Sequence, residues 1–174
     1  DTVDPKAFRR SSDMISVSQG IYVLGVKSSA VLASFMAYYL SLLFKDVKVL
    51  NGASSDEIAQ QLYRMEGSDL LIAISFPRYS NRTISAMKFA NSRGLRSIAI
   101  TDSPDSPIAS YATLPLYADC GVISYVDSIV PPMSLINALL VDVGEKMSKS
   151  ADKELSELEG IWSEYGSYSS RNTP

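Results

Sequence analysis

At 174 residues, with 46% hydrophobic and 20% charged side chains, the chain suits one domain with a full core and is short for two. Its net charge of −3 and scattered Lys and Arg, of which Arg9-Arg10 is too short to form a patch, argue against the chain gripping DNA or RNA by itself. With no histidine and a single cysteine, Cys120, it lacks the usual proton shuttle, an internal disulfide and a plausible zinc site, so any catalysis would rest on Asp, Glu, Lys or Tyr.

Asp4-Pro5 reads as an N-cap with proline at the first helical position, opening a helix that ends before Gly20. The apolar run Ile21-Tyr22-Val23-Leu24-Gly25 places the first strand at 21–26, and Lys27-Ser28-Ser29 follows it. From Ser29 to about Phe44, the spacing of Leu32, Phe35, Tyr39 and Leu43 predicts a helix, with Val31, Tyr38 and Leu42 widening its buried stripe. Val47 to Leu50 is a short strand. Ser54 with Glu57 three residues on fits a capping box, and Ile58, Leu62 and Met65 line one face of the helix that follows. Residues 69–76 form a third strand, after which Ser80-Asn81-Arg82-Thr83 opens a helix over roughly 81–92, with Ile84 and Met87 inward. Ser97 to Thr101 is the fourth strand and ends at Asp102.

The Pro-, Ser- and Asp-rich stretch from Asp102 to Pro107 marks a loop, and Leu114 to Ala118 a fifth strand that Pro115 places at a sheet edge. After Pro131-Pro132, the residues Met133, Ile136, Leu139, Leu140, Val143 and Met147 trace an apolar helix. A charged tail follows in which Leu155, Leu158, Trp162 and Tyr165 keep helical spacing. It is too short for an independent coiled coil and is expected to pack on this domain or on a partner subunit. From Gly166 onward the chain is Ser-rich, and residues 167–174 are expected to fray.

Strands alternating with helices of about ten residues or more predict an α/β fold: a three-layer α-β-α sandwich around a five-stranded parallel sheet of the flavodoxin or Rossmann kind, in a single domain over residues 1–166. Ligands of such sheets bind beyond the carboxyl ends of the strands, where both serine clusters fall. Hydroxyls at a helix start, backed by free N–H groups and the positive end of the helix dipole, suit a phosphate. The plain alternative is a serine cap, worth ~0.5–2 kcal/mol with no ligand at all, and the residues alone leave both readings open. Lys27 either neutralises such a phosphate as a point charge or faces solvent. Arg78 beside the hydroxyls suits a sugar phosphate or acid, whereas Arg82 is read as a solvated loop arginine. Asp102 is read as the cap of the turn before Pro104, the alternative being a partner for a sugar hydroxyl. Tyr38 and Tyr39 are read as core or subunit contact, and Cys120 as a buried bystander.

Three segments carry a family likeness: Tyr22-Val23-Leu24-Gly25-Val26-Lys27-Ser28-Ser29, Ala37-Tyr38-Tyr39-Leu40 and Ile74-Ser75-Phe76-Pro77-Arg78-Tyr79-Ser80-Asn81-Arg82-Thr83. Over about residues 3–165 the chain resembles the SIS (sugar isomerase) domain, in the form that serves as effector domain of RpiR-type bacterial transcriptional regulators. The general SIS pattern is a short Ser-x-Ser-Gly-x-Thr. Here Pro77-Arg78-Tyr79 is inserted, as in the regulator branch, and Asn81 stands where the pattern has glycine. The resemblance implies a phosphate site formed by Ser28, Ser29, Ser75, Ser80 and Thr83, to which Lys27 and Arg78 are added by position.

It further implies a non-catalytic domain that senses a phosphorylated sugar or sugar acid and forms a dimer or tetramer. DNA would be met only through an N-terminal helix-turn-helix domain, which this sequence does not show, so the chain reads as the effector domain alone. The alternative is an aldose–ketose isomerase on the same fold. SIS isomerases commonly use a glutamate or histidine, but Arg82 precedes Thr83 here, and Glu57 and Glu66 lie in no recognised catalytic context. A nucleotide-binding Rossmann reading lacks the G-x-G-x-x-G fingerprint after the first strand. No cofactor or metal is expected. With no apolar run near the ~20 residues of a membrane span and no signal peptide, the expected home is the cytoplasm.

Overall fold

Asp4 accepts the Lys6 amide at 2.9 Å, so the first helix, α1 (Pro5–Ser16), opens on the cap that its sequence announces. The computed structural model of the protein describes residues 3–121 and 128–165. After α1 come β1 (Gly20–Gly25), α2 (Ser29–Ser41), β2 (Asp46–Val49), α3 (Ser55–Arg64), β3 (Leu70–Ile74), α4 (Asn81–Ser92) and β4 (Arg96–Thr101). A 3-10 turn (Ala109–Tyr111), β5 (Leu114–Tyr117), α5 (Val130–Lys146) and α6 (Ser148–Glu164) complete the described elements. Pro131 and Pro132 lie inside the first turn of α5, where a missing N–H loses no helical bond. The expected fraying from Gly166 onward lies outside the described residues.

The strands form one parallel sheet in the order β2-β1-β3-β4-β5. Successive side chains point to opposite faces, and both faces are covered, which is why the inner strands read as unbroken apolar runs. Ile21, Val23, Ile72, Ile74, Ile98 and Ile100 pack with α1, α2 and α5. Tyr22, Leu24, Leu71, Ala73 and Ala99 pack with α3 and α4 on the other side. Each fully buried Ile or Leu contributes ~1.5–3 kcal/mol of transfer free energy, so the two cores hold the three layers together. Ser54 and Glu57 close the expected capping box at the start of α3, with Glu57 N–H donating to Ser54 Oγ at 3.2 Å and Ser54 N–H to Glu57 Oε2 at 2.6 Å.

Several expectations need correction. β3 stops at Ile74, so Ser75 and Phe76 belong to the loop and not to the strand, and α2 ends at Ser41 rather than near Phe44. The buried stripe of α2 is Ser29, Leu32, Ala33, Met36, Ala37 and Leu40, not the Leu32, Phe35, Tyr39 and Leu43 line. Val31, Tyr38 and Tyr39 are exposed. The reason is steric: Ala33 and Ala37 let the helix lie close on the sheet, and a helix apolar on nearly every side has no polar face to orient it. In α6, Leu158 and Trp162 are half-buried, but Tyr165 is 80% exposed and does not join an intramolecular stripe. Among the described residues, α6 packs chiefly against α5.

Candidate functional site

β1 and β3 are neighbours in the sheet, yet the chain leaves β1 towards β2 and leaves β3 towards β4. Such a reversal opens a crevice at the carboxyl ends of the two strands. Gly25 ends β1 against the first turn of α2: a Cβ there would lie 2.5 Å from Ser29 O and 2.8 Å from Ala33 Cβ. The chain then turns through Lys27 at φ 55° and Ser28 at φ −59°, ψ −33°. A left-handed residue followed by a right-handed one aims successive amides the same way, a shape that receives anions. Ser28 is the N-cap of α2 by position, but its hydroxyl makes no cap hydrogen bond.

The second loop leaves β3 at Ile74. Ser75 N–H donates to Ile100 O at 3.1 Å, and Ser75 O accepts from Thr101 Oγ1 at 2.7 Å, so the loop starts from a fixed base on β4. Arg78 stands at φ 65°. Among the described residues, Lys27 and Arg78 are the non-glycine residues with positive φ, and they sit on the two loops that flank the crevice. Backbone of this kind costs about 1–3 kcal/mol and persists where the surroundings impose it, typically at ligand sites. Ser80 caps α4 with its backbone alone; its hydroxyl makes no cap bond, in contrast to Ser54 on α3. The plain capping reading therefore leaves the Ser28 and Ser80 hydroxyls without a job.

Between the loops lies a cavity of about 260 Å³, and Lys27, Ser28, Ser29, Ser75, Arg78 and Ser80 all line it. Thr83 does not. It lies one turn into α4, 1% exposed, and its Oγ1 has no hydrogen-bond partner. A small apolar cleft next to the cavity brings Cys120, Ile129 and Pro132 up to Ser28, Ser29 and Phe76, so the first turn of α5 borders the site. That neighbourhood has no local sequence signal, because β5 and α5 reach it only through the sheet order. Cys120 is buried, as its reading had it.

Two sequence readings are overturned here. Arg82 is not a solvated loop arginine: it is half-buried and donates to Ala53 O at 3.0 Å, tying α4 to the loop before α3. Asp102 does not cap the turn before Pro104. Its carboxylate accepts from Tyr79 OH at 2.9 and 3.0 Å and from Ser103 Oγ at 3.2 Å. Burial, and then the Asp102 carboxylate, push the Tyr79 phenol up to about 12, so it stays a hydrogen-bond donor at any ordinary pH. Hydrogen bonds from Ser54 hold the Glu57 carboxyl below its usual range, which suits a helix cap and not a base working near neutrality. Among the described residues no cluster of three His, Cys, Asp or Glu could hold a metal ion, and no helix is long and apolar enough to cross a membrane.

The profile of the SIS domain matches residues 14–142. Among solved structures, the sugar isomerase domain of an RpiR transcription factor from Sphaerobacter thermophilus is 28% identical, with a TM-score of 0.85 over 90% of this chain and 87% of that one. The Vibrio vulnificus NanR protein complexed with ManNAc-6P is 21% identical, with a TM-score of 0.80, and the alignment covers 92% of this chain but 61% of that one. A hypothetical protein from Methanococcus jannaschii, for which a 3-hexulose-6-phosphate isomerase function is inferred, is 18% identical with a TM-score of 0.68, covering 87% of this chain and 83% of that one. The latter two likenesses show the fold alone. The curated proteins returned no match.

Proposed function

The chain belongs to the SIS domain family, and from that premise we propose that its cavity receives a phosphorylated sugar or sugar acid as a signal to be sensed, not as a substrate to be turned over. The observation that carries this reading is the convergence of two loops on one cavity. Four serines and two cationic side chains line it, and the Ser28 and Ser80 hydroxyls are not engaged in capping. A phosphate dianion takes hydrogen bonds from the hydroxyls and amides and charge from Lys27 and Arg78. NanR, with the same fold, holds a sugar phosphate, which supports the ligand class.

Sensing is preferred to turnover because of what surrounds the cavity. Proton transfer next to a sugar carbonyl needs a base within hydrogen-bond reach. Among the described residues the lining holds no carboxylate, Glu57 is locked in its capping box, and Asp102 is engaged by Tyr79. The isomerase reading draws its support from the Methanococcus jannaschii neighbour. In the sensing reading the domain is the effector and dimerisation part of an RpiR-type regulator of carbohydrate metabolism in the bacterial cytoplasm, and DNA is contacted by a separate helix-turn-helix domain. Ligand acts there by its differential affinity for two arrangements of the subunits.

A thermal-shift screen with hexose, pentose and amino-sugar phosphates, each beside its unphosphorylated sugar, tests the site. A ligand at a hundred times its Kd adds ~2.7 kcal/mol of stability, so a phosphorylated compound should raise Tm by several degrees while its unphosphorylated form does not. NMR of the same mixtures should show no isomerisation; sustained turnover would favour the enzyme. The exposed Val31, Tyr38 and Tyr39 on α2 form an apolar face suited to a second copy. Light scattering at micromolar concentration should therefore return a dimer or tetramer, and a monomer would remove the oligomeric part of the proposal.

A further inference from the structure

We propose that Tyr79 and Asp102 act as one positioning pair, a strap across the inserted Pro77-Arg78-Tyr79 segment that holds the second phosphate loop in its binding shape. The inference rests on the phosphosugar reading of the cavity and goes further by assigning a role to two residues that do not line it.

The loop from Ser75 to Ser80 is fixed at both ends. At its start, Ser75 is tied to β4 through Ile100 O and Thr101 Oγ1, and at its finish Ser80 O accepts the first amide bond of α4, from Ile84 N at 3.0 Å. Between these points Arg78 takes φ 65°, a conformation that arginine does not choose for itself. Tyr79, the next residue, reaches over to the end of β4 and gives its hydroxyl proton to both carboxylate oxygens of Asp102. A charged acceptor makes this a strong hydrogen bond, and the half-buried phenol keeps water from competing for it. Asp102 is itself held by Ser103 Oγ, which donates to it at 3.2 Å, while Thr101 Oγ1 gives its proton to Ser75 O and lies 2.7 Å from Ser106 Oγ. The strap thus joins the Arg78 bend to the same β4 terminus that carries Ser75 O. Without it, the middle of the loop can relax to ordinary backbone angles, and Arg78 and Ser80 leave the arrangement that faces Ser28 and Ser29.

Tyr79→Phe removes one hydroxyl and no ring. Asp102 keeps its Ser103 donor, so no bare carboxylate is left behind and the fold should persist. The experiment measures the affinity of ManNAc-6P and of inorganic phosphate, with Tm alongside, for the wild type, Tyr79→Phe, Asp102→Ala, Asp102→Asn and the Tyr79→Phe/Asp102→Ala double variant. Tyr79→Phe and Asp102→Ala should each weaken binding at least tenfold with little change in Tm. The double variant should be no worse than either single one, and Asp102→Asn, which keeps an acceptor for the phenol, should recover most of the affinity. A purely structural pair would move Tm together with affinity and would not give that pattern. Wild-type affinity in Tyr79→Phe, or additive losses in the double variant, would overturn the pairing while leaving the ligand reading intact. Absence of binding by the wild type to either probe would overturn the ligand reading itself, and the strap with it.

Discussion

Gly25→Ala is expected to lower the unfolding free energy by about 3 kcal/mol and to abolish phosphosugar binding even where the protein still folds. A methyl group at this position meets Ser29 O at 2.5 Å, Ser29 C at 3.0 Å and the Ala33 Cβ at 2.8 Å. Two of those atoms are backbone, so no flexible side chain can swing aside to make room. The first turn of α2 must lift from the end of β1, and Ser28 and Ser29 travel with it away from Ser75 and Ser80. Gly52 is the control, since a Cβ there has nothing within 4 Å and its φ is not in the left-handed range. Urea unfolding of both alanine variants, with ligand titration of each, reads the two effects. Wild-type stability and affinity in Gly25→Ala would show that the close approach of α2 to β1 has no part in shaping the site.

Thr83→Val should have effects of opposite sign on stability and on binding. An enclosed hydroxyl with no partner loses its hydration for nothing, at roughly 1–3 kcal/mol, and Thr83 Oγ1 is in that position. Valine has nearly the same shape and a similar helix propensity, so the ligand-free protein should gain about 1 kcal/mol. The likeness to the SIS pattern implies a phosphate ligand at this threonine, which lies three residues beyond Ser80, on the same face of α4. On the proposed function, the variant should therefore bind its phosphosugar about tenfold more weakly, the loss of one hydrogen bond to a charged group. A stabilised variant with unchanged affinity would remove Thr83 from the site; a destabilised one would mean that its hydroxyl is satisfied in solution.

Much of this architecture is local in sequence, and the local parts were readable. The inner strands announce themselves as short apolar runs, the α3 cap as Ser54 and Glu57, and the edge position of β5 as Pro115. Six of the seven candidate ligand residues fall on two short strand-to-helix loops or, for Ser29, on the helix start that follows one of them, and they line one cavity. What the sequence did not disclose depends on pairing between distant segments. Tyr79 and Asp102 are 23 residues apart, and Arg82 and Ala53 are 29 apart. Only the adjacency of β3 and β4 puts the residue after Thr101 beside the loop after Ile74. The facing of α2 is hidden for a different reason: Ala33 and Ala37 are the small residues that lie against the sheet, which a count of bulky apolar residues does not register.

The two margins of the sheet bear on how copies of this domain can meet. On one side, β2 is four residues long and carries Asp46 and Lys48, whose charged groups lie 3.5 Å apart. On the other, β5 has Pro115 in its second position, with no N–H to offer a newcomer. Short, charged and proline-bearing borders refuse an added strand. Self-association by extending the sheet from one molecule into the next is thereby discouraged at both flanks of the described sheet, so that any pairing of copies would fall to the helical layers. That leaves the strand order, and the crevice at its reversal, undisturbed whichever neighbour arrives.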